Sequence, residues 1–184
     1  NQMTARAVFF HGRAWQVSGE GYGSIGQISV EGRPACAAEL RPLLWPLALC
    51  NDARINDGEL IGDPTEGALL ALAAKGGVDA AALQSQYPRL AELPFDSAHK
   101  FMATCHHLDG ELQWLVKGAP DVLLARCSTI ATELGTQELN QEWRDRLLAE
   151  NTRLAGQALR VLAVARKRIS QAGECRKLDV NQVG

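Results

Sequence analysis

Apolar and polar positions change period several times along the chain, and each change predicts an element. Residues 7–10 and 14–17 are apolar-rich and flank the turn His11-Gly12-Arg13, which predicts a hairpin. Residues 21–26 are glycine-rich and read as a loop. Residues 25–31 predict a further strand, closed by Gly32-Arg33-Pro34. From 35 to 50 the chain is mostly apolar, with Leu40, Leu43, Leu44 and Leu47 at helical spacing. Pro42 and Pro46 interrupt that run. Proline removes a helical hydrogen bond and clashes with the preceding turn, so a kink or two short helices are expected.

The clearest helix start is Asp63-Pro64-Thr65-Glu66. Asp63 suits the N-cap, Pro64 the first helical position, and Glu66 can reach back to the cap. The helix runs through residues 67–75 and ends at Gly76-Gly77. A short helix is predicted over 79–86. Leu93-Pro94-Phe95 opens a β region, in which 101–108 and 111–117 are joined by Asp109-Gly110, a two-residue hairpin signal. Gly118-Ala119-Pro120 begins a helix reaching Cys127. Residues 137–155 predict a longer amphipathic helix stopped by Gly156, and 159–165 a buried strand. Positions 170–184 carry little pattern. Mixed strands and helices, with an antiparallel hairpin as the strongest pair, indicate an α+β domain.

A length of 184 residues suits one domain, and 46% apolar residues can fill a core. The net charge of −2 is unlike a nucleic-acid surface, which needs clustered basic residues. No apolar run reaches the roughly 18 residues of a membrane span, and no signal-peptide pattern opens the chain. The five cysteines are widely spaced without C-x-x-C, which predicts reduced, mostly buried thiols and neither a zinc framework nor a disulfide scaffold.

Four segments carry candidate chemistry: GDPTEGALL at 62–70, LPFDSAHKFM at 93–102, VKGAPDVLLARC at 116–127 and ALRVLAVAR at 158–166. Phe95 is flanked by polar residues and could stack on a base, although local sequence alone favours a core position. Lys117 ends a strand beside Gly118, whose missing Cβ would let a ligand near the backbone. Taken alone, that lysine is more simply a surface residue. Glu66 is explained by the cap but could also accept from an amino group. Lys100 and Arg160 are cations able to meet phosphates. Arg160 falls in an apolar strand, so it should face a cleft or an acidic partner. Asp121 suits the positive end of its helix. His106 and His107 should face opposite sides of a strand, and neither they nor His99 is given a role. The tryptophans Trp15, Trp45, Trp114 and Trp143 read as packing residues. Gly21-Tyr22-Gly23-Ser24-Ile25-Gly26 matches G-x-G-x-x-G, but a strand is expected after it instead of a helix, so it is not a dinucleotide fingerprint.

In this order, these segments resemble the nucleotide-binding domain of P-type ATPases, in the type II branch that includes calcium and sodium/potassium pumps. KGAP at 117–120 is the most specific element, supported by GDPTE at 62–66, Cys50-Asn51-Asp52 and LRVLAVA at 159–165. The resemblance covers residues 1–184 as a single domain, with hinge-like ends near 1–4 and 180–184. It implies a twisted, mainly antiparallel sheet flanked by helices. It also implies a domain that brings ATP, as Mg-ATP in the parent enzyme, to an aspartate elsewhere. By position in the matching motifs, Phe95 would stack on adenine and Glu66 would bond its amino group. Lys117 and Gly118 would line the inner pocket, Lys100 would lie near base or phosphates, and Arg160 near the phosphates. Thr65, Asp96 and Ala119 are weaker candidates for the rim. Ser97 stands where many family members carry arginine, which implies fewer phosphate contacts.

The expected partners are ATP and the phosphorylation, actuator and transmembrane domains of one parent chain at the cytoplasmic face of a membrane. A monomer is expected, with no nucleic acid and no insertion of this piece into a membrane. The chain lacks D-K-T-G-T and T-G-E-S, so it should bind ATP without hydrolysing it. The competing reading is a regulatory or interaction module with the same fold and no nucleotide. A kinase-like transferase is remote, because no catalytic-loop pattern is present.

Overall fold

The computed structural model describes residues 2–170. Asn1, Cys175, the expected return hinge at 180–184 and the patternless stretch beyond Ser170 lie outside the described residues. The chain divides into two compact units at Pro88 and Arg89.

The first unit contains β1 (Ala7–Phe10), β2 (Arg13–Val17), β3 (Ile28–Val30), β4 (Arg33–Pro34), α1 (Ala37–Leu49), β5 (Arg54–Asn56), β6 (Glu59–Ile61), α2 (Pro64–Lys75) and α3 (Ala80–Gln86). Strands β1 to β4 form one sheet in sequence order, and β5 pairs with β6. The turn between β5 and β6 is Asp57-Gly58, with φ of 50° and 82°. Both values suit the two-residue turn whose twist matches its strands. Asp109-Gly110 does the same in the second unit, with φ of 51° and 81°.

Helix α1 is continuous through Pro42 and Pro46, where a kink or two helices were expected. Each interior proline costs about 3 kcal/mol. Leu40, Leu43, Leu44, Leu47 and Leu49 are all buried, and each returns about 1.5–3 kcal/mol, so burial against α2 and α3 outweighs the lost bonds.

The second unit contains β7 (Ala91–Asp96), β8 (Phe101–Leu108), β9 (Glu111–Gly118), α4 (Pro120–Arg126), β10 (Thr129–Thr132), β11 (Gly135–Glu138), α5 (Gln141–Ala155) and β12 (Ala163–Ile169). Its main sheet has the order β12-β9-β8-β7, leaving β7 on an edge. All strand pairs among the described residues are antiparallel. Together with five helices, this is the α+β class expected.

The core of this unit is one face of the sheet. Phe101, Ala103 and Cys105 of β8 and Trp114 and Val116 of β9 pack with Leu123 of α4. The alternate residues take the other face, so His106 is buried and His107 exposed, as expected.

Three sequence expectations shift. The strand expected at 159–165 lies at Ala163–Ile169. Its partner β9 ends at Gly118, opposite Ala163, because Pro120 starts α4, so earlier residues have no strand to pair with. The helix expected from 137 begins at Gln141, capped by the Asn140 side chain accepting from Trp143 N–H at 3.0 Å, while 135–138 join β11. Cys36, Cys50 and Cys127 are free thiols, but Cys105 is in a disulfide, which corrects the expectation of reduced thiols throughout.

Candidate functional site in the edge strand and its neighbours

Strand β7 does not run regularly along β8. Leu93 pairs with Ala103 and Asp96 pairs with Phe101, so three steps along β7 match two along β8. The extra residue is a bulge, and it reverses which face the following side chains take. In a regular strand Phe95 would follow Leu93 onto the core face with Trp114. With the bulge, Asp96 pairs with Phe101 in that position and Phe95 falls in the irregular step. Phe95 is 63% exposed, so the core position favoured by local sequence is corrected.

At the end of β7 the chain turns tightly through 97–100. The Asp96 carboxylate accepts from the N–H groups of Ala98 (2.6 Å) and His99 (3.4 Å), and Lys100 N–H donates to the Asp96 carbonyl at 2.6 Å. Asp96, expected on a ligand rim, therefore also holds the turn together. Lys100 is exposed and adopts a left-handed φ of 60°. A cavity of about 310 Å³ opens here, lined by Leu93, Pro94, Phe95, Asp96, His99 and Phe101. His99, given no role from sequence, is thus beside the exposed ring. Lys100 and Lys117 do not line this cavity.

Lys117 is 5% exposed, which corrects the simple surface reading. Lysine is rarely so buried. Its face of the sheet also carries Thr104, His106 and Gln113, all buried. His106 Nε2 and Thr104 Oγ1 are hydrogen-bonded at 2.9 Å.

Gly118 is buried for a reason other than the one inferred from sequence. A Cβ added there would lie 2.4 Å from Phe101 Cβ and 2.5 Å from the Lys100 carbonyl oxygen. The space is filled by β8 and not left for a ligand. The neighbouring Ala119 N–H donates to that same carbonyl at 2.9 Å. The glycine thus permits the close join that ties β9 and the start of α4 to the 97–100 turn. Arg160 is exposed and precedes β12, so the cost of a charge within an apolar strand does not arise.

Glu66 and Thr65 belong to the first unit. Asp63 caps α2, its carboxylate accepting from Thr65 N–H at 2.8 Å and Glu66 N–H at 3.2 Å. The Glu66 carboxylate accepts from Asp52 N–H at 3.2 Å. Buried Asn51 donates to the carbonyls of Leu47 (3.2 Å) and Glu66 (3.1 Å) and accepts from Ala53 N–H (2.9 Å). Cys50-Asn51-Asp52 and GDPTE, read as separate motifs, are therefore one bonded structure. The Thr65 hydroxyl donates to Met3 sulfur at 3.3 Å. A Cβ on Gly67 would meet Leu60 at 2.6 Å and Tyr22 at 2.9 Å, so glycine inside α2 allows close packing of the β5–β6 ribbon. The loop at 21–26 leads into strand β3, which agrees with rejecting the dinucleotide fingerprint.

A second groove of about 350 Å³ lies between α1 and α3, with Arg41 stacked on Trp45, and holds none of the candidate residues. Among the described residues no cluster of three metal-ligating side chains occurs, and no helix is long and apolar enough to cross a membrane.

The family model for the P-type ATPase cytoplasmic domain N matches residues 39–183. Over 187 residues the chain is 38% identical to a calcium-transporting ATPase of Bacillus subtilis (strain 168), covering 97% of this chain and 21% of that protein. It is 42% identical over 134 residues to calcium-transporting ATPase 1 of Lactococcus lactis, covering 72% and 15%. It is 37% identical over 177 residues to the human calcium-transporting ATPase type 2C member 1, covering 90% and 19%. The chain thus spans about a fifth of the length of these relatives or less.

Proposed function

The chain belongs to the family of P-type ATPase cytoplasmic N domains, and on that premise we propose that it is the ATP-binding domain of an ATP-driven cation pump. The observation that carries this reading is Phe95, 63% exposed at the bulge in β7 and lining a cavity of about 310 Å³. An exposed aromatic ring on a braced sheet edge is a stacking platform for a planar base, a contact worth roughly 1–3 kcal/mol. Buried Lys117 is assigned to the inner pocket by its motif, as a cation. Lys100, held on the adjoining turn, and exposed Arg160 are the further cations assigned to base or phosphates.

Glu66 is assigned the adenine amino group by its motif, with Thr65, Asp96 and Ala119 at the rim. Asp52 N–H donates to the Glu66 carboxylate and orients it. Residues 1–184 serve as one nucleotide-binding domain. It acts as a monomer at the cytoplasmic face of a membrane, beside the phosphorylation, actuator and transmembrane domains of its parent. The parent uses Mg-ATP, and the γ-phosphate passes to an aspartate outside this chain. Phosphoryl transfer needs that acceptor and the metal in line, so this chain binds ATP without turning it over. The names of the relatives make calcium the first cation to test in the complete pump.

The test is an NMR titration of the labelled chain with ATP, ADP and AMP. Amide shifts at Phe95, Lys117 and Gly118, and separately at Glu66, with similar affinity for all three nucleotides, are the expected result. Folded protein that shows no shift at several millimolar ATP would overturn the proposal and favour an interaction module that binds no nucleotide. Phosphate release by the pure chain that Lys117→Ala abolishes would refute binding without turnover.

A further inference from the structure

We propose that His99 is a base-contacting residue of the nucleotide site, held in place by Asp96; this rests on the nucleotide reading above. His99 is exposed and lines the cavity that carries Phe95. Its position is not that of a loose loop residue. Its own N–H and that of Ala98 are both taken by the Asp96 carboxylate, and the Lys100 N–H closes the turn onto the Asp96 carbonyl. Ala119 N–H fixes the far end of the turn through the Lys100 carbonyl at 2.9 Å. The imidazole is therefore presented from a braced backbone next to the stacking ring.

The cavity's chemistry selects which part of a nucleotide enters. A volume of about 310 Å³ is at the small end for ligand pockets, which run from roughly 300 Å³ upward. Leu93, Pro94, Phe95 and Phe101 make most of the lining apolar, and the one charged lining group is Asp96. A polyphosphate would be repelled by that carboxylate, whereas a neutral planar base would not. A neutral imidazole offers one donor and one acceptor. The edge of adenine offers the complementary pair, an amino donor and a ring-nitrogen acceptor. Phe95 thus supplies the face contact and His99 an edge contact, and Asp96 acts as a positioning residue through the turn.

The experiment measures the affinity of the whole chain for adenosine, AMP and ATP by NMR, in the parent and in His99→Ala, His99→Asn, Asp96→Ala and Phe95→Ala. The expected result for His99→Ala is a loss of roughly threefold to tenfold, the worth of one hydrogen bond, equal for adenosine and ATP. His99→Asn should recover much of it, because the amide also donates and accepts. Asp96→Ala should reproduce the adenosine loss, and combined with His99→Ala it should lose little more, since Asp96 acts through the turn that holds His99. Adenosine affinity unchanged in His99→Ala, while Phe95→Ala abolishes binding, would overturn the role of His99 and leave the nucleotide reading intact. A loss seen only with phosphorylated ligands would also overturn it, by making His99 a phosphate contact. Absence of binding in the parent would overturn both.

Discussion

Replacing Gly118 with alanine separates two explanations of the glycine in KGAP. If the glycine exists to let a ligand approach, alanine should cost affinity and little stability. The structure says otherwise. The added methyl would sit 2.4 Å from Phe101 Cβ, 2.5 Å from Lys100 O and 2.8 Å from Phe101 Cα. These are backbone atoms or atoms rigidly attached to backbone, so no side chain can swing away. Phe101 is fully buried in the core with Trp114 and Leu123, so β8 cannot retreat cheaply. Overpacking of this kind costs typically about 1–3 kcal/mol. For a chain of this size that is a fall in Tm of roughly 2–12 °C. The assay is thermal unfolding followed by circular dichroism, with urea denaturation as a second measure. ATP affinity should also drop, because the methyl would push apart Phe101 and the 97–100 turn. A Tm within 1 °C of the parent, combined with lost ATP binding, would refute the packing argument and restore the ligand-approach explanation.

Phe95→Ala should weaken ATP binding by roughly 1–3 kcal/mol yet change stability by no more than about 0.5 kcal/mol, since the ring is 63% exposed; calorimetric titration and urea unfolding together check both halves. Asn51→Ala should destabilise the chain by about 1–3 kcal/mol, because the buried carbonyls of Leu47 and Glu66 lose their donor and Ala53 N–H its acceptor; an unchanged urea midpoint would show the link between the two motifs to be energetically idle. Glu39 makes paired hydrogen bonds to Arg33 at 3.2 and 3.0 Å, which hold its carboxyl below the usual carboxylate range. A depressed folded-state value stabilises above the unfolded value and is lost as pH falls through the folded one. Glu39→Gln should therefore lower stability near neutral pH, by up to about 1 kcal/mol for so exposed a pair, and the gap from the parent should close on acidification; a gap independent of pH would remove the ion pair as its cause.

Where local chemistry dominates, the sequence determined structure by itself. Asp63 and Pro64 start α2 as read, because the carboxylate and the two N–H groups that it satisfies are within three residues, whereas the Glu66 carboxylate meets Asp52 N–H and not the cap to which it was expected to reach back. Asp109-Gly110 fixed the β8–β9 hairpin for the same reason. Asp57-Gly58 carries the same signal for β5–β6, but its strands are too short and polar for periodicity to mark. KGAP and GDPTE together named the family.

What only the tertiary structure decided depends on partners distant in sequence. The exposure of Phe95 is set by how β7 registers on β8, and a one-residue bulge reverses a face without any mark in the local pattern. The start of β12 was set by where β9 ends, and the continuity of α1 by burial large enough to outweigh two prolines. Gly118 reads from sequence as room for a ligand, but its space is filled by Phe101 and Lys100. His99 entered the candidate site only when the turn braced by Asp96 placed it in the same cavity as Phe95. Caps and two-residue turns are energetics within a few residues; register, burial and cavity lining are energetics between strands, and the chain must fold before they exist.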